Sequence, residues 1–124
     1  MNTYEKVVEY LKSYQELKYN LVFYRNKMCG LKAIRYSQEE KGASVDNIMY
    51  VYMQKIEDTE NKMKVIEEFI EENLHGKQRL VVWERYVNNL TLKEIGAMID
   101  VSRSAVTKII NDAINCLCQN YKKV

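Results

Sequence analysis

The stretch TLKEIGAMIDVSRSAVTKII, residues 91–110, decides the fold prediction, because it predicts two short helices joined by a tight corner. Thr91 and Glu94 have the spacing of a capping box, in which each side chain accepts a hydrogen bond from the backbone N–H of the other residue. The first helix is therefore expected to begin at Leu92 and to end near Ile99.

The corner between these helices is predicted from three residues. Asp100 tolerates a left-handed backbone better than most non-glycine residues, and Ser102 is a favoured N-cap for the second helix. Gly96 has no side chain and lets the helices approach closely. Apolar positions at helical spacing are expected to face each other across the corner: Ile95, Ile99 and Val101 opposite Val106, Ile109 and Ala113. This combination predicts a helix-turn-helix.

The outer face of the second helix is predicted to be polar, with short side chains and two cations. Together with the N-cap, its members are Ser102, Arg103, Ser104, Thr107, Lys108, Asn111 and, further along, Asn115. Such side chains can hydrogen-bond base edges in a DNA major groove, with Ser102 near a phosphate and the planar fork of Arg103 matching guanine or a phosphate. The plainer interpretation is a solvated face of a helical bundle, and Asp100 and Asp112 reduce the positive field. The paired caps and the apolar spacing favour DNA binding.

Two long amphipathic helices are predicted in the N-terminal part. The first runs from about Thr3 to about Arg35, and a polar loop over residues 36–44 follows, in which Ser44 caps the second helix. The second helix ends near Gly76, which suits a left-handed C-cap. The apolar stripes are Tyr4, Val7, Leu11, Tyr14, Leu17, Leu21, Tyr24, Met28 and Leu31 in the first helix, and Ile48, Tyr52, Ile56, Thr59, Met63, Ile66 and Ile70 in the second.

A third, short helix is predicted from near Lys77 to about Val87, with residues 88–90 as the connector that follows it. The chain has no proline and four glycines, so few residues interrupt helices. The predicted fold class is all-α: a long helical hairpin in residues 1–76, followed by a three- to four-helix unit in residues 77–124 that contains the helix-turn-helix.

The two hairpin helices differ in charge and carry many tyrosines. Residues 1–36 hold seven Lys and Arg against three acids, whereas residues 46–72 hold eight acids against three Lys. Helices of opposite charge favour antiparallel pairing with coiled-coil packing. The aromatic side chains exceed what two helices can cover, which predicts a homodimer through these helices. The sequence leaves open whether the stripes pair within a chain or between chains.

Other classes of function find little support in the residues. Cys29, Cys116 and Cys118 have no metal-ligand spacing and are interpreted as apolar filler, so neither a metal nor another cofactor is expected. No catalytic residue is predicted, because His75 is the single histidine and there is no Gly-rich phosphate loop. No apolar run reaches the length of a membrane span and no signal peptide is recognised, so we expect a soluble, intracellular protein that is not an enzyme.

Residues 78–117, QRLVVWERYVNNLTLKEIGAMIDVSRSAVTKIINDAINCL, resemble the C-terminal promoter-binding domain of bacterial sigma-70 factors, region 4. The positions that carry the resemblance are the arginine–aromatic pair Arg85 and Tyr86, the start Leu90, Thr91 and Leu92, the pair Glu94 and Ile95, and the run Val101, Ser102, Arg103, Ser104, Ala105 and Val106. The family usually has Ala where Gly96 stands and commonly has Gly where Asp100 stands. The resemblance implies double-stranded DNA as the partner.

The whole chain resembles small phage transcriptional regulators of the ArpU type, which place a long helical hairpin before a sigma-like helix-turn-helix. The segments that fit are YLKSY (residues 10–14), LKAIRYSQEEKG (residues 31–42) and DNIMYVYMQKIEDTENKMKVIEEFIE (residues 46–71). This resemblance implies control of phage or prophage late genes, in the cytoplasm of a bacterial host.

Two alternatives stand beside such a regulator. The chain has no recognisable promoter-melting region, so it is not expected to start transcription alone, and RNA polymerase is the candidate partner of a sigma-like adaptor. A small terminase-like DNA packaging protein also joins an oligomerising hairpin to a helix-turn-helix, although there the DNA-binding unit usually comes first in the chain. The sequence favours a sequence-specific regulator that reads the major groove with the helix from Arg103.

Overall fold

The computed structural model describes residues 2–37 and 42–121, with side chains for residues 2–34 and 45–121. Every described element is helical, so the predicted all-α fold is confirmed. In chain order the elements are α1 Thr3–Ser37, α2 Gly42–Asn73, α3 Gly76–Val82, a π-helical turn Trp83–Val87, α4 Leu92–Ile99 and α5 Arg103–Asn120.

The ends of the two long helices agree with the prediction except at the start of α2. Of the predicted loop, residues 38–41 lie outside the described residues. The N-cap assigned to Ser44 is wrong, because α2 already begins at Gly42.

The apolar stripes of α1 and α2 pack against each other within one chain. The Tyr10 ring meets Phe69 edge-on with the ring centroids 5.6 Å apart, and the Tyr14 hydroxyl donates a hydrogen bond of 2.7 Å to the Glu67 carboxylate. In another part of the pairing, Arg25 forms an ion pair of 2.8 Å with Glu60. The stripes therefore meet between two helices of the same molecule.

The stripe of α2 differs from the prediction at one position. Ile48 is 44 % exposed, so its assignment to the buried stripe is wrong, and Val45 and Met49 are buried instead. Helical residues share a face at spacings of three and four, so the buried line that includes Tyr52 and Ile56 also takes in positions 45 and 49. These side chains join Met28 in a small core, with partly buried neighbours Leu31, Tyr52 and Ile56.

The chain forms two compact units, and both long helices contribute to each. The helix-turn-helix unit comprises Met1–Gln15 and Val65–Val124, and the central unit comprises Glu16–Lys64. The core of the helix-turn-helix unit thus draws on the first turns of α1 and the last turns of α2. Its buried side chains include Val7, Leu11, Ile66, Ile70, Leu74, Val81, Val82, Ile95, Val106, Ala113, Ile114 and Leu117. The predicted domain boundary after residue 76 stays a prediction.

The third helix occupies the predicted segment but changes its hydrogen-bonding pattern part-way. After α3 the chain makes the π-helical turn, which closes when the N–H of Asn88 donates to the Trp83 carbonyl at 3.2 Å. Gly76 has the predicted left-handed backbone, with φ of 58°, but it is the first residue of α3 and does not directly follow α2. Asn89 in the connector is also left-handed, with φ of 58°.

Two tyrosines one helical turn apart on α1 provide a matched test of polar burial. The Tyr14 hydroxyl donates to Glu67, whereas the Tyr10 hydroxyl is buried and has no hydrogen-bond partner among the described residues. Tyr14→Phe should lower the free energy of unfolding by about 1.5 kcal/mol, because it removes a hydrogen bond to a carboxylate. Tyr10→Phe should leave that free energy unchanged or raise it by up to about 1 kcal/mol. Chemical denaturation measures both variants, and equal losses would contradict these assignments.

The same hydroxyls make the fold sensitive to alkaline pH. Burial, followed by the hydrogen bond to Glu67, raises the pKa of Tyr14, and burial raises the pKa of Tyr10. Because the folded state favours the neutral phenols, their contribution to stability is complete below the pKa of unfolded tyrosine, about 10, and is lost as the pH rises above it. The free energy of unfolding should therefore fall less steeply above pH of about 10 in Tyr14→Phe than in the wild type.

Candidate nucleic-acid interface

Local hydrogen bonds fix the start of α4. The Thr91 hydroxyl accepts from the N–H of Glu94 at 3.1 Å, and the Glu94 carboxylate accepts from the N–H of Thr91 at 2.9 Å. The bond from the Thr91 backbone, followed by the bond to its side chain, holds the pKa of Glu94 below its usual value. The predicted capping box is confirmed, as are the helix ends at Leu92 and Ile99.

The corner after α4 depends on a close backbone approach. Asp100 is left-handed as predicted, with φ of 59° and ψ of 50°, and the N–H of Val101 donates to the Gly96 carbonyl at 2.9 Å. A Cβ atom at Gly96 would lie 2.6 Å from the carbonyl oxygen of Val101, a distance that Cβ atoms essentially never show. Only glycine fits this corner without a shift of the backbone.

Three of the six residues that are predicted to face each other across the corner are fully buried. These are Ile95, Val106 and Ala113. Ile99, Val101 and Ile109 are partly buried, and Ile110, which the spacing does not assign to this face, is buried. The reason is that α5 packs against α3 as well as α4, which turns its core face toward both helices. The remaining buried members of that face are Ile114 and Leu117.

The predicted outer face of α5 is exposed to solvent. Every predicted member is accessible: Ser102, Arg103, Ser104, Thr107, Lys108, Asn111 and Asn115. Ser102 is the N-cap, and its hydroxyl oxygen accepts from the N–H of Ala105 at 3.1 Å. Capping uses an oxygen lone pair, so the hydroxyl proton can still be donated to a phosphate. The free N–H groups of the first turn of α5 and the helix dipole also favour an anion at this end.

The side chains of the outer face offer both hydrogen-bond donors and acceptors. Arg103 and Lys108 provide cationic donors. The Thr107 hydroxyl donates to the Arg103 carbonyl at 3.1 Å, so Thr107 presents an acceptor oxygen and a methyl group to its surroundings. Asp100 and Asp112 are exposed nearby in sequence and reduce the positive charge. The face can therefore approach a polyanion and also contact individual base edges.

Sequence reasoning missed that α1 reaches the helix-turn-helix. The Tyr4 hydroxyl donates to Oδ1 of Asn111 at 2.7 Å. The Gln15 amide donates to the carbonyls of Tyr86 and Val87, at 2.7 and 3.2 Å, near the end of the π-helical turn. No periodicity signals these contacts, because Tyr4 belongs to the apolar stripe of α1 and Gln15 is an ordinary polar residue of a long helix.

Arg85 and Tyr86, the arginine–aromatic pair of the sequence pattern, have structural roles. The Arg85 guanidinium donates to the Leu90 carbonyl at 3.0 Å and so closes the connector before α4. Burial raises the pKa of Tyr86, the charge of Arg85 lowers it, and Tyr4 raises it.

The described residues hold no group of three or more His, Cys, Asp or Glu side chains that could bind a metal ion. Cys116 and Cys118 are partly buried, in keeping with apolar filler, but Cys29 is exposed, so that interpretation is wrong for Cys29.

Within the part of the chain that the structure describes, none of the helices combines the length and the apolar character needed to cross a membrane.

Residues 72–118 match the family Sigma-70, region 4. The matched segment runs from the end of α2 into the last turns of α5 and includes the whole corner. The chain therefore carries a C-terminal sigma-70 region 4-like helix-turn-helix, which indicates a DNA-binding regulatory role. The comparison with curated proteins found no match, and neither did the comparison with solved structures.

Two glycines provide a matched test of the corner. Gly96→Ala should lower the free energy of unfolding by about 1–3 kcal/mol, because the new Cβ meets a backbone oxygen that cannot move away alone. Gly30 lies in α1, where an added Cβ meets nothing within 4 Å, so Gly30→Ala should raise the free energy of unfolding by about 0.5–1 kcal/mol. Thermal and chemical denaturation measure both, and a neutral Gly96→Ala variant would refute the tight corner.

Proposed function

We propose that the protein is a sequence-specific DNA-binding transcriptional regulator that reads the major groove with α5. The observation that carries the proposal is the exposed polar start of α5, which follows directly after the close corner at Gly96. In helix-turn-helix proteins the second helix enters the major groove with its N-terminal residues toward the base edges. The match of residues 72–118 to sigma-70 region 4 supports the same role.

The side chains of α5 have distinct roles in this proposal. Arg103 lies in the first turn and is suited to bidentate contact with guanine. Lys108 and the Ser102 hydroxyl contact phosphates, which set the register of the helix on the duplex. The side chains of Ser104, Thr107 and Asn111 reach base edges. The proposal assigns no catalytic residue and requires no cofactor.

The resemblance of the whole chain to ArpU-type regulators supports a narrower proposal. The genes controlled would be phage or prophage late genes, and the protein would act in the cytoplasm of a bacterial host. The order of the helices supports this proposal. The long helices α1 and α2 come first in the chain, and the sigma-like helix-turn-helix follows in α3 to α5.

Selection of bound duplexes from a random DNA library tests the proposed DNA reading. The full-length protein would be used at about 150 mM salt, where non-specific binding is already weak. We expect an enriched sequence motif, since base-edge contacts discriminate by about 1–3 kcal/mol each. Binding that depends only on salt, with no enriched motif, would refute sequence-specific reading.

Arg103→Ala and Lys108→Ala should have different effects on the selected site. Loss of a base-reading Arg103 should weaken binding by about 1–3 kcal/mol and relax the preference at one base position. Loss of a phosphate contact at Lys108 should weaken binding to all sequences alike and reduce the salt slope by about 1. Affinities for matched and scrambled duplexes at two salt concentrations measure both effects. Identical behaviour of the two variants would contradict the assigned roles.

We also propose that the central unit mediates a homodimer. Most of the large apolar side chains that are exposed in the described chain lie in this unit: Tyr19, Val22, Phe23, Ile34, Ile48, Tyr50, Val51 and Met53. Side chains of this kind on both helices of a two-helix unit are typical of a face that packs on another subunit. A second copy suits the charges, because a twofold axis can place the basic α1 of one chain beside the acidic α2 of the other.

Val22→Glu and Met98→Glu test the proposed dimer as a matched pair. Val22 in the central unit is 54 % exposed, and Met98 in α4 is 49 % exposed. A glutamate at either position is therefore solvated in the monomer and should not destabilise its fold. Analytical ultracentrifugation should find the wild type and Met98→Glu as dimers, and Val22→Glu as a monomer with unchanged helical content. A monomeric wild type would overturn the proposal, and a ring of many subunits would favour a terminase-like packaging protein.

RNA polymerase is a second candidate partner, and one observation favours a protein-docking role. An open groove of about 410 Å³ lies beside the end of α2 and α3, lined by Glu71, Gly76, Arg79, Leu80 and Trp83. Aromatic and arginine side chains of this kind are enriched in protein interfaces. The double variant Arg103→Ala and Lys108→Ala separates the candidates in a transcription assay: an adaptor keeps its activity, whereas a DNA reader loses it.

A further inference from the structure

One hydrogen bond joins the N-terminal helix to the outer face of α5. Tyr4, in the first turn of α1, donates its hydroxyl hydrogen to Oδ1 of Asn111 at 2.7 Å. This distance is typical of an O–H···O bond and is shorter than most N–H···O bonds. The carbonyl edge of the Asn111 amide therefore faces Tyr4, and the NH₂ edge does not.

The position of Tyr4 is fixed by the protein itself. The Asn2 side chain caps α1, because its carbonyl oxygen accepts from the N–H of Glu5 at 2.8 Å. Val7 and Leu11, which follow on the same helix, are fully buried in the helix-turn-helix unit. Gln15 adds two hydrogen bonds to the π-helical turn. The Tyr4 hydroxyl is thus a donor held in place before any DNA binds.

A carboxamide reads different bases according to which edge it presents. An unrestrained asparagine can accept from the N6 amino group of adenine and donate to adenine N7 at the same time. The bond from Tyr4 holds the acceptor edge of Asn111 toward α1. Among the described residues none accepts a hydrogen bond from Nδ2 of Asn111. An amide held in this way directs its NH₂ donors away from Tyr4, and donors match base edges made of acceptors, namely N7 and O6 of guanine or O4 of thymine.

We propose that Tyr4 is a positioning residue for base recognition, which turns the NH₂ edge of Asn111 toward the major groove and thereby disfavours adenine at the base that Asn111 contacts. The inference rests on the proposed DNA reading by α5. It assigns a role in specificity to a residue of α1, outside the matched segment 72–118.

The test compares base preferences of the full-length protein and four variants. The variants are Tyr4→Phe, Asn111→Ala, the double variant of these two, and Tyr10→Phe as the control. Tyr10 lies on the same helix in the same unit, and its hydroxyl has no hydrogen-bond partner among the described residues. Each protein selects duplexes from the same random library, and affinities are then measured on sites that differ at single positions.

Wild type and Tyr10→Phe should disfavour adenine at one position by about tenfold, the scale of one base-edge contact. Tyr4→Phe should bring adenine at that position to within about threefold of the preferred base, with the other positions unchanged. Asn111→Ala should lose the preference at the same position, and the double variant should behave like Asn111→Ala. This coupling is a readout that a merely structural role of Tyr4 would not change.

Three results would overturn the inference. The first is that Tyr4→Phe disfavours adenine at that position as strongly as the wild type does. The second is that Tyr4→Phe loses the same affinity for every sequence, which indicates a role in stability only. The third is a change at a position that Asn111→Ala does not affect. If the wild type enriches no motif at all, the proposed DNA reading fails first, and that failure is visible before any variant is compared.

Discussion

The close approach of Gly96 to the carbonyl of Val101 is the constraint on which the rest of the structure depends. It allows α4 to turn into α5 over a short corner, and the left-handed Asp100 completes that turn. Ile95 before the corner and Val106 after it are both fully buried, and the opposite side of α5 lies in solvent. A helix that is anchored on one side and polar on the other is a suitable element for entering a groove. The proposed function therefore follows from a backbone contact.

The core of the helix-turn-helix unit is not built by the C-terminal helices alone. The first turns of α1 and the last turns of α2 belong to the same compact unit, through Tyr10 with Phe69 and Tyr14 with Glu67. Tyr121, after α5, closes this aromatic cluster, with its ring centroid 5.8 Å from that of Tyr10. The long helices thus have two tasks along their length. Their ends complete the helix-turn-helix, and their middle parts form the central unit.

Local features could be predicted from the sequence, and distant ones could not. The capping box of Thr91, the cap of Ser102 and the corner at Asp100 each depend on residues within one turn, so spacing and residue type suffice. The burial of Ile110 in the core depends on the packing of α5 against α3, which no local sequence pattern predicts. The bond from Tyr4 joins positions 107 residues apart, and only the tertiary packing of α1 brings them together.

The most direct measurement of the central claim is an NMR titration of the nitrogen-15-labelled full-length protein with a short DNA duplex at low salt, where even non-specific binding is strong. If α5 reads DNA, the largest amide shifts will occur at residues 102–111, together with the side-chain amide of Asn111. Amides of the central unit, Glu16–Lys64, should change little. Shifts centred on the groove at Trp83, or no shifts at saturating DNA, would contradict reading of DNA by α5.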